Sequence, residues 1–297
     1  MDTAGEFPTG ETLAAGEYEL TEHLCGHGDW ELHVGARASR PDDRHLISVV
    51  RAGDLRADEL WQRLSYEIPG IFPLLHLGHF DRRGDDPVRN TMQGAYAGMV
   101  EKLPEGSWMP RWSTAPFGPA RAIELGLAVG KVLEAAARAG VLLIAIRPHT
   151  IWARRDDERV VFTGLSGRIG PFFAARAKSS MVSRPAFERH YAAPEVWLGV
   201  GESERSLVFS LAIMIAEWAT GNYPFPDSRI GGSNLSLTMG RHAALEVPIR
   251  LAGILTHGLE RRPEDRPPLE SFLARLGDLV EPARPPAPKR RWWARWK

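Results

Sequence analysis

Residues 190–225 read HYAAPEVWLGVGESERSLVFSLAIMIAEWATGNYPF, and the second half of this stretch decides the fold. From Leu207 to Ala219 only Ser210 and Glu217 interrupt an apolar run. The run is too long for an ordinary strand and shorter than the ~20 residues that a bilayer demands. Apolar on nearly all sides, it predicts a buried core helix. Such a helix needs a body wrapped around it. Downstream, VPIRLAGILTHGLE and LESFLARLGDLV are amphipathic and supply two covering helices. Upstream, FGPARAIELGLAVGKVLEAAARAG has Pro119 near its start and Gly140 at its end, the usual asymmetry of a helix. TIWARRDDERVVFTG reads as a hairpin of two short strands around Arg155–Glu158.

The first hundred residues have a different rhythm. YELTEHL, WELHVGARA and HLISVV alternate as strands, with CGHGD and SRPDD as turn signals between them. Residues 54–67 carry Leu55, Leu60, Trp61 and Leu64 at helical spacing. IFPLLHLGHF and TMQGAYAGMVEKL predict two further strands. Residues 1–15 are Gly/Thr/Glu-rich and read as an arm, and from Glu281 the composition shifts to Pro, Arg and Trp.

The chain has 297 residues, 43% of them hydrophobic and 25% charged, which excludes a wholly disordered protein and allows a sizeable core. No run of 18 apolar residues occurs, and the acidic first residues lack the basic start and apolar centre of a secretory signal. A single cysteine, Cys25, excludes an internal disulfide framework and is expected of a cytoplasmic protein. The 37 basic and 37 acidic residues balance, but unevenly. Residues 282–297 hold six bases and no acid, which leaves 31 bases against 37 acids before them. The body is thus at −6 and the tail at +6, and an acidic body argues against nucleic-acid binding as the main function.

The residues at the joints narrow the fold. LCGHGDWELHVGARA joins two strands through glycines. AGVLLIAIRPHTIWA is followed by VVFTGLSGRIG, HYAAPEV precedes the buried helix, and GLERRPEDRP follows it. In this order and spacing the chain resembles the protein kinase-like family, bacterial Ser/Thr kinases most of all, over roughly residues 16–280. The resemblance implies an α+β, two-lobed fold with a small antiparallel β N-lobe (16–103) and a mainly helical C-lobe (104–280). These would be flanked by the arm (1–15) and a Pro/Arg/Trp-rich basic tail (281–297).

Phosphoryl transfer in that family uses a strand lysine paired to a helix glutamate, an aspartate that positions the hydroxyl, and an asparagine and a second aspartate that hold magnesium. By resemblance those positions fall here on Val50, Glu59, Ala145, Thr150 and Gly164. Only the glutamate survives. Strand alternation points Arg51 away from the side of Val50. The HRD-type triplet is Leu143–Ile144–Ala145 and the DFG-type triplet Gly164–Leu165–Ser166. Leu207 stands where the family has an aspartate that holds the catalytic loop. A buried polar group without partners costs about 1–3 kcal/mol, so losing the polar set together is coherent. Glu195 and Arg266 persist, and in the family they form a buried ion pair; breaking one side of such a pair costs about 3–5 kcal/mol. The resemblance therefore implies a catalytically inactive pseudokinase, a cytoplasmic regulatory or scaffold module that binds a protein partner and requires no cofactor. The alternatives are a nucleotide-sensing domain that binds ATP without turnover and an atypical kinase-fold transferase acting through Glu59.

A nucleotide would meet Gly26 and Gly28 and an apolar cleft at Ala36, Val100, Glu101 and Leu103, all by resemblance, but Glu31 in the third glycine position would set a negative charge near its phosphates. His23, Cys25 and His27 alternate along a strand as metal ligands sometimes do; a coincidence of strand and loop is the simpler reading, and no metal is expected. His76 and His79 read as ordinary strand residues, and Asp156 and Asp157 as solvated turn residues. Candidate partner contacts are Phe172 and Phe173 in the activation-segment equivalent. The tail adds Arg290, Arg291, Trp292, Trp293 and Trp296, residue types common at binding hot spots that also suit an anionic membrane surface.

Overall fold

The computed structural model describes residues 12–13, 17–27, 30–51, 70–71, 74–79, 96–103, 108–110, 116–143, 146–148, 151–154, 160–162, 191–198, 201–225 and 242–280. Within these, strands come first and helices follow. A six-stranded antiparallel sheet contains β1 (Thr12–Leu13), β2 (Tyr18–His27), β3 (Trp30–Arg37), β4 (Arg40–Arg51), β5 (Leu74–His79) and β6 (Tyr96–Lys102), in the spatial order β1-β2-β3-β4-β6-β5. A three-stranded sheet joins β7 (Trp108–Pro110), β8 (Ile151–Arg154) and β9 (Val160–Phe162). The expected hairpin is β8 pairing antiparallel with β9. The additional strand β7 borders it.

The sheet differs from the sequence reading at two places. The end of the expected arm is tied down, because Thr12 and Leu13 pair with Glu19 and Tyr18. The glycine turn is also tighter than CGHGD suggested. Cys25, Gly26 and His27 continue β2 and pair with Leu32, Glu31 and Trp30, so only two residues separate the paired ends.

The helical body is built around the apolar run. Helix α1 is Pro119–Arg138, α2 is Pro194–Leu198, α3 is Glu204–Thr220, α4 is Ile249–Gly258 and α5 is Leu269–Gly277. Helix α3 is buried along its whole length, from Ser206 to Ala219 save for Glu217, as an all-round apolar helix must be. Gly221 caps it in the left-handed conformation (φ 76°), where its N–H donates to the Glu217 carbonyl. Helix α1 lies close against α3 at Gly126, where an added Cβ would meet the Ile215 side chain at 2.5 Å. One apolar core unites α1, α3, α4 and α5 with Leu143, Ile151 and Ala153. Ile71, from the segment between β4 and β5, belongs to the same core.

Candidate functional site

Two places matter: the joint where α2 meets α3, and the two faces of β4 and β6. At the joint, Glu195 sits in the first turn of the short α2. Its carboxylate accepts two hydrogen bonds from Arg266, at 2.7 Å to Oε1 and 2.9 Å to Oε2. Ser206 Oγ donates a third, at 2.6 Å to Oε1. The same hydroxyl accepts from the Ser203 N–H at 3.2 Å, so one side chain helps cap α3 and steadies the carboxylate. The Arg266 guanidinium spends its remaining donors on backbone carbonyls: Nε on Glu260, Nη1 on Arg205 and Nη2 on Arg261. Its five N–H groups thus have five acceptors, the complete fork that arginine alone can offer. The guanidinium also lies 4.7 Å from the centre of the Phe209 ring. The two side chains are 0% and 8% exposed.

Burial pushes the Glu195 carboxyl up, but the hydrogen bonds from Arg266 and Ser206 and the arginine's charge outweigh it, and the net shift is downward. This joint is structural in character, because every polar atom of the pair points at protein. Nearby, the Tyr191 hydroxyl donates to Glu217 at 2.6 Å and fastens the residues before α2 to α3.

Leu143 and Leu207, the positions that the resemblance matches to a histidine and an aspartate, are both fully buried in the one helical core. Neither position has room for an uncompensated charge. Arg147 escaped the sequence reading: it is 2% exposed, between the buried Ile146 and Pro148. A basic residue set in the apolar stretch VLLIAIRP was the available signal, since an arginine is almost never fully buried unless paired.

Across the sheet, residues directly opposite share a face. Val100 lies opposite Ile47 and His76, and Ile47 lies opposite His33. Glu31 pairs with Gly26 on one side and Val49 on the other, so Glu31, Val49, Ile47 and Val100 share one face of the sheet. Val50 lies opposite Trp30 and Ala97, on the other face with Leu46, Ser48 and Glu101. Ala36, opposite Arg44, belongs to that second face as well. The positions that the resemblance assigned to one cleft therefore divide: Val100 on one side, Ala36, Val50 and Glu101 on the other. Arg51, opposite Tyr96, continues the Val100 row. Ala36, Val100 and Glu101 are buried and Leu103 is half-buried.

The register also separates His23 from the alternating Cys25 and His27. An irregularity between His23 and Cys25 places His23 opposite His33 and Cys25 opposite Leu32, adjacent residues of β3 that face opposite ways. The rings of His23 and His33 meet edge-on at 5.0 Å. Among the described residues no cluster of three metal-ligating side chains occurs. His79 ends β5, the edge strand, and pairs with Ala97. Gly28, Glu59, Ala145, Thr150, Asp156, Asp157, Gly164, Leu165, Phe172 and Phe173, and Arg290, Arg291, Trp292, Trp293 and Trp296 of the tail, lie outside the described residues.

Comparison with known proteins agrees with this architecture. No protein-family model matches the chain. A stretch of 156 residues, 51% of this chain, is 22% identical to the serine/threonine-protein kinase PknE of Mycobacterium tuberculosis, and the same match recurs in the Mycobacterium bovis protein. The chain spans about a quarter of the length of these relatives, 27%. The crystal structure of the Mycobacterium tuberculosis PknI kinase domain superposes with a TM-score of 0.61 at 17% identity, covering 90% of this chain and 99% of that domain. A doubly substituted form of the same domain gives a TM-score of 0.62 at 16% identity, over 93% and 100%. The antiparallel sheet followed by the helical body is the two-lobed α+β fold of that domain.

Proposed function

From the premise that the chain belongs with the protein kinase-like proteins, we propose that it is a catalytically inactive member that works by binding another protein, as a regulatory or scaffold module. The observation that carries this reading is the pairing of what persists with what is gone. The Glu195–Arg266 joint is complete to its last donor. Leu143 and Leu207, in place of a histidine and an aspartate, are sealed in the core. The sequence positions expected to carry the catalytic aspartate, the metal-binding asparagine and the second aspartate are Ala145, Thr150 and Gly164. None of the three offers a carboxylate or amide to magnesium or to a hydroxyl nucleophile. A scaffold under selection for shape alone keeps its pinning ion pair and fills its former polar positions with apolar bulk.

The nucleotide-sensing alternative draws on the position of Arg51 in the row of Val49 and Val100. A cation there would serve phosphates if that face lined the cleft, although Glu31 shares it.

Labelled ATP with magnesium or manganese tests the proposal. No label should move to the chain itself or to generic acceptor proteins. Label transfer that disappears in Glu59→Gln would establish the transferase alternative instead. A host strain lacking the chain should be restored equally well by wild type and by Glu59→Gln.

A further inference from the structure

A cavity of about 330 Å³ opens where the chain leaves α3, away from the Glu195–Arg266 joint and from the strand faces. One wall is the turn from Thr220 to Pro224, the other is the run from Ala243 to Glu246, and every residue that lines it is among those described. We propose that this cavity receives an arginine side chain of a protein partner, with the guanidinium on Glu246 and the stem against Tyr223, Pro224 and Leu245. The proposal rests on the protein-binding reading above and names the chemistry of the contact. The cavity is built before anything enters it. Tyr223 and Phe225 are buried; Tyr223 meets Tyr191 edge-on at 6.2 Å and Phe225 stacks on Phe209 at 5.9 Å, which fixes the first wall to the core. The Ala243 N–H donates to the Pro224 carbonyl at 2.8 Å and clasps the second wall to the first. The Val247 N–H donates to the Leu245 carbonyl at 2.9 Å, which closes a three-residue turn with Glu246 at its apex. Ala243 and Ala244 are small and leave the space between the walls open. Walls held in this way lose little freedom when a ligand binds.

The polar groups around the cavity choose the ligand. The Thr220 hydroxyl is committed, donating to the Ala216 carbonyl at 2.8 Å and accepting from the Asn222 N–H at 3.0 Å. The Asn222 amide and the Glu246 carboxylate are exposed, and neither side chain has a hydrogen bond or an ion pair among the described residues. Arg250, four residues past Glu246, forms no ion pair with it. One negative charge and one amide oxygen thus stand free over an apolar floor. A guanidinium suits that pattern better than an ammonium. Its planar fork gives two parallel N–H groups to a carboxylate and keeps others for the Asn222 oxygen, while its stem lies on apolar surface. The volume is at the low end of ligand sites, which start near about 300 Å³, and holds one long side chain with its flanking backbone. The net −6 of the chain before the tail draws cations towards the cavity.

The test titrates N-acetyl-arginine methylamide, and separately its uncharged citrulline counterpart, into the whole chain carrying isotopically labelled alanine methyls. The Ala243 and Ala244 signals are followed by NMR. The arginine probe should move both methyls saturably with a Kd of roughly 0.1–1 mM. The citrulline probe should bind at least about tenfold more weakly. Glu246→Gln should erase that preference without moving the melting midpoint, because the carboxylate is exposed and unpaired, and Asn222→Ala should weaken the arginine probe about threefold. Deleting 282–297 should leave the affinity unchanged. A host strain lacking the chain should be restored by wild type and not by Glu246→Lys, which sets a cation against the incoming arginine. Equal binding of the two probes, no shift at about 10 mM, or full arginine binding by Glu246→Gln overturns the proposal. Tighter binding after the deletion overturns it in favour of the chain's own basic end as occupant, and restoration of the host by Glu246→Lys overturns the partner. These shifts are read without ATP. Phosphate transfer by the chain would defeat the inactive-module reading and leave the arginine preference standing, whereas loss of that preference defeats this proposal alone.

Discussion

Replacing Arg266 with methionine tests the joint on which the folded body turns. The substitution keeps the stem that packs beside Phe209 and removes five donors. Glu195 then remains 8% exposed with only the Ser206 hydroxyl for company, and three backbone carbonyls lose their partner. Leaving one member of a buried pair uncompensated costs about 3–5 kcal/mol. At roughly 2–4 °C per kcal/mol for a domain of this size, the melting midpoint should fall by roughly 6–20 °C. Arg266→Lys should recover only a small part, since an ammonium cannot reach both carboxylate oxygens and three carbonyls at once. The double variant Glu195→Leu, Arg266→Met should be more stable than Arg266→Met alone, because the stranded charge is gone.

The pH dependence of that difference has a definite sign. In the wild type the Glu195 carboxyl titrates below its ordinary 4.5, so its contribution is complete above that pH and is lost as the pH falls through the folded value. In Arg266→Met, burial acts on the carboxyl with the arginine's opposing pull removed, and its ionisation becomes a burden at neutral pH. Denaturation followed by circular dichroism should therefore show the gap between the two proteins narrowing on acidification, first above pH 4.5 as the variant's buried carboxyl takes up a proton and then below it as the wild type loses its paired charge. A loss under about 1 kcal/mol, or a gap that does not change with pH, would refute the reasoning.

Further outcomes follow from other residues. Leu207→Asp should cost more than about 4 kcal/mol in urea denaturation, because it restores a carboxylate to a fully buried position among apolar neighbours; a cost under about 1 kcal/mol would mean that polar partners are waiting for it. Gly35→Ala should destabilise by about 1–3 kcal/mol, since the new methyl would sit 2.7 Å from the Glu19 carbonyl oxygen, whereas Gly253→Ala, in open space on α4, should be neutral or gain up to about 1 kcal/mol. His45 is 2% exposed, edge-on to Tyr18 and 3.7 Å from Asp43; burial lowers its pKa from 6.5 against the pull of Asp43. A group protonated more readily when unfolded destabilises the fold as the pH falls below 6.5, so His45→Gln should flatten the decline in melting midpoint on acidification through that window.

The helical body was legible because its signals are local and strong. The run from Leu207 to Ala219 could be nothing but a buried helix, and Pro119 and Gly140 marked helix ends in the sequence. The Glu195–Arg266 pairing came from resemblance, and the full set of carbonyls around Arg266 came only from the structure, since no spacing rule gathers Arg205, Glu260 and Arg261 around one guanidinium. The sheet was legible as strands but less so as faces. A single irregularity takes His23 out of step with Cys25 and His27, whose alternation the sequence advertised. Likewise Val50 and Val100 reach one site only by analogy, while the pairing of β4 with β6 sets them on opposite faces. Register is decided by long-range pairing, and a shift of one residue reverses every assignment. Strand β7 was missed because WMP is three residues long and contains a proline, a weak signal that an edge of a small sheet tolerates.

The central claim is that the chain does not grip a magnesium-bound triphosphate, and a calorimetric or thermal-shift titration with ATP tests it most directly. A site with a Kd of about 0.1 mM would add about 2.7 kcal/mol at about 10 mM nucleotide, a shift of several degrees. The account predicts no saturable shift, with or without magnesium. A saturable, magnesium-dependent shift that is lost in Arg51→Met would contradict it, and would place a working phosphate cation one residue from where the family pattern puts it.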